Sequence, residues 1–368
     1  MKLYVIAGEA SGDLHGSNLL KALFQQHPGL QVRAWGGHKM QEAGATLVKH
    51  YKDLAFMGFV EVVKNLRTIL HNISFCKKDI LAYQPDALVL IDYPGFNLRI
   101  AKWAKRQGIK VIYYISPQIW AWHRSRVHDI RRDVDKMLVI LPFEQDFFRQ
   151  YGMEVDYVGH PLLDALDVSN TPDNPENADS RTIALLPGSR KQEIQRILPP
   201  MLAITARFPQ YRFVVAGASS MPETYYQTFL KDYPQVELLK GVTYELLQQS
   251  CAALVKSGTS TLETALLNVP QVVCYAGNPL SYHIARRLIQ VKYISLVNLI
   301  VDKPLVQELI QDELNPTNLA SALSVILQPE NRAEILRGYT ELKHSLGDGG
   351  ASRRAASSIL QFLQQQPH

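Results

Sequence analysis

Short apolar runs alternate with longer amphipathic segments along most of the chain. In the first half the apolar runs are LYVIAG, QVRAWGG, ALVLIDY, KVIYYIS, KMLVIL and EVDYVGH, separated by segments such as SNLLKALFQQH and NLRIAKWAKRQG. The second half repeats the alternation with TIALLPG, YRFVVAG, VELLKG, AALVKSG and VPQVVCY. Strands that alternate with helices are typical of parallel α/β sheets. The pattern therefore predicts an α/β protein with two doubly wound, Rossmann-like domains that face a cleft.

A polar segment separates the two halves. The stretch DVSNTPDNPENADSR (167–181) is rich in Asn, Asp and Pro and has no apolar periodicity, which is typical of a linker. We therefore predict an N-terminal domain over 1–166, a linker over 167–181 and a C-terminal domain over 182–348. The last segment, 349–368, contains a helix that could pack back on the N-terminal domain.

Composition and charge narrow the class of protein only a little. The 368 residues are 46% hydrophobic and 20% charged, and the three cysteines favour a reducing compartment over a disulfide framework or a zinc cluster. The start MKLYVIAGEASGD is expected to be a strand and a glycine loop, not a signal peptide. No apolar run approaches the roughly 20 residues of a membrane span. The net charge of +5 suits an anionic membrane, nucleotides or phosphorylated substrates, or simply a solvated surface. No motif indicates nucleic-acid binding.

Glycine-rich segments follow three predicted strands, where parallel sheets bind ligands. The first, GEASGDLHG (8–16), has evenly spaced glycines but lacks the dinucleotide fingerprint. It is either a phosphate-binding loop or a tight turn in which Ser11 or Asp13 caps the next helix.

The two glycine segments of the second half are the stronger candidates for phosphate binding. In LPGSRKQE (186–193), Gly188 permits close backbone approach and Arg190 supplies a forked cation, unless Ser189 only caps a helix and Arg190 is solvated. In KSGTSTLET (256–264), a helix N-terminus can bind an anion through its backbone N–H groups, and a ribose diol can bind one turn further on. The residues of this segment are Gly258, Thr259, Ser260 and Glu263. The alternative is that Thr259 or Ser260 caps the helix and Glu263 complements its dipole. Two such loops in one domain favour a site for a sugar-nucleotide diphosphate.

Nine ordered segments resemble the lipid-A-disaccharide synthases, a family of two-domain GT-B glycosyltransferases. They span nearly the whole chain: AGEASGD, MGFVEVVKNL, IDYPGFN, YYISPQIWAW, LPFEQDFF, VGHPLLD, LLPGSR, KSGTSTLETAL and YISLVNLI. The resemblance implies that UDP-2,3-diacylglucosamine donates its sugar to 2,3-diacylglucosamine 1-phosphate (lipid X). The products would be the β-1′,6-linked disaccharide 1-phosphate and UDP, formed with inversion and without a metal or cofactor.

The resemblance also assigns roles to residues. Inverting transfer needs a base for the acceptor hydroxyl, and we predict Asp92, which ends the apolar run ALVLI; alternatively Asp92 caps the helix that starts near Phe96. Gly95 replaces the second acid of one common form of this motif, D-A-P-D-F-N. Predicted contacts to UDP or the donor sugar are Gly188, Ser189, Arg190, Gly258, Thr259, Ser260, Glu263, Asn298 and Glu308. Predicted residues of the first-domain side of the cleft are Ser11, Gly12, Asp13, Asn97 and Gln118.

A metal site at the D-x-D sequence Asp133-Val134-Asp135 is not predicted. It lies between a basic stretch and an apolar run, which indicates a turn from helix to strand, and no second carboxylate cluster lies beside it in the sequence.

Acylated substrates imply contact with a membrane. In FMGFVEVVKNLRTILHNISFCKK (56–78) apolar residues recur at helical spacing, as in a helix that lies in a membrane interface. The predicted stripe is Phe59, Val62, Val63, Leu66, Ile69, Leu70 and Ile73. On periodicity alone, a helix packed on a sheet is an equally good interpretation. Nearby cations that could attract anionic lipid are Arg99, Lys102, Lys105 and Arg106. We expect a cytoplasmic protein, peripheral to the inner face of the cytoplasmic membrane, and from the resemblance a homodimer.

Two other functions remain open at this point. One is another GT-B enzyme, such as a UDP-N-acetylglucosamine 2-epimerase or a related hexosaminyltransferase, but the GEASGD and ISPQIWAW segments favour the synthase. The other is a catalytically silent protein that binds sugar nucleotides or lipids. The presence of Asp92, Arg190 and Glu263 argues against it.

Overall fold

The computed structural model describes residues 1–54, 66–122, 124–166, 180–278 and 291–365. The chain divides into two compact units. Unit 1 contains Met1–Ala165 together with the C-terminal segment Asp348–His368, and unit 2 contains Leu166–Gly347. All but Ser180 and Arg181 of the predicted linker lies outside the described residues.

In its described residues, unit 1 is built on a parallel sheet of seven strands. The strands are β1 Lys2–Ala7, β2 Gln31–Gly36, β3 Thr46–His50, β4 Ala87–Ile91, β5 Lys110–Tyr114, β6 Lys136–Val139 and β7 Asp156–Tyr157. Their order is β3-β2-β1-β4-β5-β6-β7, so the direction of winding reverses between β1 and β4. In doubly wound sheets a ligand binds at this reversal, beyond the carboxyl ends of the strands.

Helices connect the strands of unit 1. They are α1 Ala10–Gln26, α2 His38–Glu42, α3 Leu66–Tyr83, α4 Pro94–Arg106, α5 Ile119–Trp122, α6 Val127–Asp133, α7 Pro142–Arg149, α8 Leu162–Leu166 and, from the end of the chain, α16 Ala351–Gln364. Asp133 ends α6 and β6 follows, so the D-x-D sequence is the turn that was predicted. Asp133 pairs with Arg132, and Asp135 with Lys105.

Helix α1 begins earlier than the glycine pattern suggested, so only Gly8 and Glu9 connect β1 to it. Of the two interpretations of 8–16, the open loop is therefore wrong, and neither Ser11 nor Asp13 caps α1, because its N-cap residue is Glu9. The glycines instead allow close packing of α1: a Cβ at Gly12 would lie 3.2 Å from that of Ala7, and one at Gly16 would lie 2.8 Å from Met40 Sδ.

Helix α16 completes the core of unit 1. Ala355, Ala356 and Ile359 are fully buried and belong to the same hydrophobic cluster as β1 and α1. The helix N-terminus is held by the Asp164 carboxylate, which accepts hydrogen bonds from the backbone N–H groups of Gly350, Ala351 (3.1 Å) and Ser352 (2.8 Å). One side chain thus satisfies three amides that a helix start otherwise leaves without partners.

The described part of unit 2 contains a second parallel sheet, of six strands. The strands are β8 Thr182–Leu186, β9 Arg212–Gly217, β10 Glu237–Lys240, β11 Ala252–Lys256, β12 Gln271–Tyr275 and β13 Gln307–Ile310. The order β10-β9-β8-β11-β12-β13 reverses between β8 and β11. The helices are α9 Lys191–Ala203, α10 Glu223–Leu230, α11 Thr243–Gln248, α12 Thr259–Leu266, α13 Leu296–Val301, α14 Pro316–Ile326 and α15 Pro329–Leu346.

These two sheets confirm the prediction of two doubly wound α/β domains. The apolar runs did not predict β3 and β13, which are edge strands and carry exposed or half-buried polar residues. In the part of the chain that the structure describes, no helix is both long and apolar enough to span a bilayer.

Replacing Asp164 by Ala should loosen α16. Loss of an N-cap acceptor costs about 1–2 kcal/mol, so hydrogen exchange of the amides at 350–352 should accelerate about tenfold, measured by mass spectrometry on peptides of α16. Asp348→Ala, a change at an exposed neighbour, is the control and should leave protection unchanged. Equal protection in both variants would show that Asp164 does not fasten the helix.

Candidate active site

Asp92 lies at the reversal of the unit 1 sheet, directly after β4. Asp92 and Tyr93 both adopt left-handed backbone, with φ of 46° and 50°. Tyr93, not Asp92, is the N-cap residue of α4, so the alternative that Asp92 caps this helix is wrong. Consecutive left-handed residues other than glycine are costly, and such strain is concentrated at functional sites.

Two side chains hold the carbonyl group of Asp92. It accepts hydrogen bonds from Asn97 Nδ2 (2.7 Å) and from the Tyr113 hydroxyl (2.6 Å). Asn97 was predicted to line the cleft, but it is fully buried, with 0% exposure. Its Nδ2 also donates to the carbonyl of Ile91 (3.2 Å). Asn97 therefore fixes the backbone at Ile91 and Asp92 from the interior of the unit.

A glycine brings the β1 and β4 loops together. A Cβ at Gly8 would lie 2.2 Å from the Tyr93 ring, so only a glycine leaves room for this ring. Glu9, the residue after Gly8, follows β1. It lies close enough to Asp92, which follows the neighbouring strand β4, for its charge to act on that carboxylate. Sequence analysis did not single out Glu9, although the adjacency of β1 and β4 brings the two carboxylates to one edge.

The environment of Asp92 favours its protonated form. Burial, as the larger cause, and the negative charge of Glu9 together raise the pKa of Asp92 to about 6. A hydrogen bond from the Tyr93 backbone acts in the opposite sense. A carboxylate with a pKa near the operating pH is suited to accepting a proton.

The other predicted residues of the first domain differ in exposure. Ser11 is exposed on the first turn of α1, and Gly12 is buried. Asp13 is 4% exposed, and its carboxylate accepts from the amides of Gly37 (2.7 Å), Lys39 (3.2 Å) and Met40 (3.1 Å). Gly12 and Asp13 therefore have internal structural roles, and Asp13 caps α2, not the helix that it belongs to.

Gln118 is exposed on a well-anchored loop after β5. The loop starts at Ile115, which has a left-handed φ of 64°. On its other side, Trp120 Nε1 donates to Glu144 Oε1 (3.2 Å), while Glu144 Oε2 accepts from the amides of Ile140 and Leu141. Burial raises the pKa of Glu144 to about 7. This network joins the ISPQIWAW segment to the LPFEQDFF segment.

In unit 2 the two predicted phosphate-binding segments follow β8 and β11, the strands at which its sheet reverses. Gly188 has a left-handed φ of 107°, and a Cβ there would lie 2.6 Å from Glu193 Oε2. This oxygen accepts from the amides of Ser189 (3.2 Å) and Arg190 (3.3 Å). Arg190 is the N-cap residue of α9, so Ser189 is not the cap.

Among the described residues, no side chain caps the start of the helix that follows β11. Gly258 is the N-cap residue of α12 and has no side chain to satisfy the first amides. Thr259 and Ser260 lie inside the helix, so neither is its N-cap. The exposed Thr259 and half-buried Ser260 stand where an anion could bind.

Glu263 lies one turn further along α12. Its Oε1 accepts a hydrogen bond from the Tyr244 hydroxyl (2.9 Å). Burial raises the pKa of Glu263, while the hydrogen bonds from Tyr244 and Ser260 lower it. Tyr244, on the first turn of α11, was not predicted, because 19 residues separate it from its partner.

A lysine joins the two phosphate-binding segments. Lys256 Nζ, at the end of β11, lies 2.9 Å from Glu193 Oε1, and Arg190 Nη1 lies 3.8 Å from the same oxygen. Neither Lys256 nor Glu193 was assigned a role from the sequence. The contact between Lys256 and Glu193 depends on β8 and β11 being neighbouring strands, and this strand order could not be read from the sequence.

Asn298 and Glu308, predicted near the nucleotide or sugar, are bonded to each other and to their surroundings. Asn298 is 1% exposed, donates to Glu308 Oε1 and the Val306 carbonyl, and accepts from the Val306 amide. Glu308 also accepts from the amides of Ile294 and Ser295. These contacts fasten α13 to β13, which gives both residues an internal role.

The predicted membrane stripe is only partly described. Phe59, Val62 and Val63, and the side chain of Leu66, lie outside the described residues. On α3, Ile73 is buried and Ile69 is half-buried, against the expectation for a membrane face, whereas Leu70 of the same stripe is exposed. The large apolar side chains that α3 exposes are Leu70 (54%), Phe75 (40%) and Leu81 (50%).

Solved structures with the same architecture show which fold this chain has. The UDP-GlcNAc 2-epimerase of Neisseria meningitidis, in a complex with UDP-GlcNAc, matches with a TM-score of 0.67 and 15% identity, over 98% of this chain and 100% of that one. The calicheamicin glycosyltransferase matches with a TM-score of 0.60 and 15% identity, over 99% of this chain and 98% of that one. This chain thus has the GT-B fold, as predicted.

Sequence comparison identifies the family within this class. The family described as lipid-A-disaccharide synthetase matches residues 3–362. The lipid-A-disaccharide synthase of Syntrophus aciditrophicus is 43% identical over 98% of this chain and 97% of its own length. The chain belongs to the lipid-A-disaccharide synthase family and is a hexosyltransferase of lipid A biosynthesis. This confirms the predicted enzyme class and favours it over the epimerase.

Replacing Glu9 by Gln should lower the pKa of Asp92, because a neighbouring negative charge is removed. The pKa should nevertheless stay above its ordinary value of 3.8, since burial is the larger cause. Carbon-13 NMR of labelled Asp92 over pH 3–8 measures its pKa in the wild type and in the Glu9→Gln variant. Glu154→Gln, on an exposed residue of the same unit, is the control. An unchanged titration in Glu9→Gln would contradict the electrostatic coupling.

Proposed function

We propose that the chain transfers diacylglucosamine from UDP-2,3-diacylglucosamine to the 6-hydroxyl of 2,3-diacylglucosamine 1-phosphate. The products are the β-1′,6-linked disaccharide 1-phosphate and UDP. The observation that carries this proposal is family membership over nearly the full chain. It is supported by a candidate proton acceptor at the reversal of the unit 1 sheet and a candidate anion site at the reversal of the unit 2 sheet.

Asp92 is the proposed general base. It takes the proton from the acceptor hydroxyl as the oxygen attacks the anomeric carbon from the face opposite UDP, which inverts the configuration. Its raised pKa supports this role, because the ionised carboxylate then has appreciable proton affinity. Asn97 and Tyr113 fix its backbone and act as positioning residues.

Unit 2 is proposed to bind the donor and to stabilise the departing UDP. The uncapped start of α12 and the Arg190 guanidinium face a diphosphate, whose negative charge increases as the glycosidic bond breaks. Glu263, oriented by Tyr244, accepts hydrogen bonds from the ribose diol. Protein groups alone neutralise the leaving group in this scheme, so it uses no metal or cofactor, and UDP-sugar is a substrate.

Asp92→Asn should abolish transfer while preserving the shape of the site. We expect kcat to fall at least about thousandfold, equivalent to about 4 kcal/mol of transition-state stabilisation. Mass spectrometry of the disaccharide measures the rate, and calorimetry with UDP should give an unchanged Kd. In the wild type, kcat/KM should fall as pH decreases through about 6, because the base becomes protonated.

Similar product rates in both proteins would retain the substrates and remove Asp92 as the base. Failure of the wild type to form product, despite UDP binding, would contradict the proposed reaction. The control Asp348→Ala, on an exposed residue of unit 1, should transfer at the wild-type rate.

Helix α3 is proposed to contact the membrane that carries both substrates. Leu70, Phe75 and Leu81 are exposed, and Lys78 is exposed on the same helix. Lys77 lies 5.6 Å from the Trp103 ring centroid of α4, a helix whose exposed cations include Arg99 and Lys102. Apolar side chains beside cations are typical of a surface that binds anionic lipid. We accordingly propose that the enzyme works at the inner face of the cytoplasmic membrane. Its homodimeric state is proposed from the resemblance alone.

The double variant Leu70→Ser and Leu81→Ser should weaken binding to vesicles of phosphatidylglycerol and phosphatidylethanolamine. Each lost leucine removes about 1–2 kcal/mol of apolar burial, so partitioning should fall at least about tenfold. Co-sedimentation with sucrose-loaded vesicles measures this effect. The control replaces Leu239 and Val325, exposed apolar residues of unit 2, by Ser. An equal decrease in both variants would contradict a specific role of α3.

A further inference from the structure

The Glu193 carboxylate occupies an anion-binding position formed by both candidate segments of unit 2. Its Oε2 accepts from the amides of Ser189 and Arg190, and its Oε1 lies near two cations, Lys256 Nζ at 2.9 Å and Arg190 Nη1 at 3.8 Å. Two amides and two cations around one anion are the donors that a phosphate group uses.

The ion pair at the centre of this cluster is partly shielded from solvent: Lys256 is 23% exposed and Glu193 is 17% exposed. Electrostatic attraction is stronger here than at a fully exposed position. An anionic ligand that reaches the Lys256 ammonium group would therefore interact with it more strongly than with an exposed lysine.

The position of Lys256 links the cluster to the start of α12. Lys256 ends β11 two residues before Gly258, and its Nζ lies 3.6 Å from where a Cβ on Gly258 would be. The ammonium group therefore stands beside the uncapped amides that the proposed function assigns to the diphosphate.

We propose that Lys256 is a substrate-binding residue that contacts the diphosphate of the sugar nucleotide as a second cation beside Arg190. The ion pair with Glu193 positions this ammonium group where the two segments meet. When the diphosphate binds, the ammonium group contacts both Glu193 and the diphosphate. The inference rests on the proposed function, because it takes the ligand to be a UDP-sugar. It adds a cation to the groups that stabilise departing UDP.

Lys256→Met tests this contact through nucleotide binding instead of turnover. Calorimetry should show UDP binding weakened about tenfold or more, as for loss of a charge-assisted hydrogen bond. Binding of uridine, measured by competition NMR, should change less than about twofold, and Lys256→Arg should recover most of the affinity for UDP. The control Lys303→Met breaks another Lys–Glu ion pair of unit 2, with Glu341, and should leave both ligands unaffected.

A double-mutant cycle separates direct contact from an effect through Glu193. Glu193→Gln can still accept the backbone amides as a capping residue but removes the negative charge. If Lys256 contacts the diphosphate, Lys256→Met should weaken UDP binding in the Glu193→Gln background as well. If Lys256 only holds Glu193, the second change should have no further effect, and the inference is wrong.

The remaining outcomes are also decisive. Equal losses for UDP and uridine would indicate damage to the fold and overturn the inference, as would unchanged UDP binding in Lys256→Met. A wild-type protein that binds neither ligand would contradict the proposed function itself, which distinguishes failure of the function from failure of the inference.

Discussion

The left-handed backbone at Asp92 and Tyr93 is the constraint on which the candidate site of unit 1 depends. Left-handed backbone costs roughly 1–2 kcal/mol per non-glycine residue, so it persists only where neighbours enforce it. Here the neighbours are Asn97 and Tyr113, which both donate to the Asp92 carbonyl. The absent side chain of Gly8 makes room for the Tyr93 ring. The carboxylate is thus placed by β5, α4 and the β1 loop together.

Both units use the same arrangement for different chemistry. Each parallel sheet reverses its winding once, and the loops on either side of that reversal carry the candidate residues. In unit 1 these loops bring carboxylates together and raise the pKa of Asp92, which suits proton transfer. In unit 2 they bring backbone amides and cations together, which suits a leaving diphosphate. A glycosyl transfer needs both functions.

The sequence predicted the fold well because strands buried on both faces are continuous apolar runs. It also predicted the position of Asp92, since a polar residue that ends such a run lies at the carboxyl end of its strand. It did not distinguish ligand-binding residues from internal ones. Asp13, Asn97 and Asn298 are polar residues in motifs, but each satisfies backbone groups inside the fold. The contact between Lys256 and Glu193 could not be predicted, because it arises from strand order. Helical periodicity likewise could not say that Ile73 packs inward while Leu81 is exposed.

The most direct test of the account is the linkage of the product. Wild-type protein would be incubated with UDP-2,3-diacylglucosamine and 2,3-diacylglucosamine 1-phosphate, and the purified product examined by proton and carbon NMR. The account predicts a disaccharide in which the donor sugar is joined β-1′,6 to the acceptor, because a single displacement inverts the anomeric carbon. An α-linked disaccharide would contradict direct displacement with Asp92 as base, and a 2-epimerised UDP-sugar without disaccharide would contradict the transferase activity.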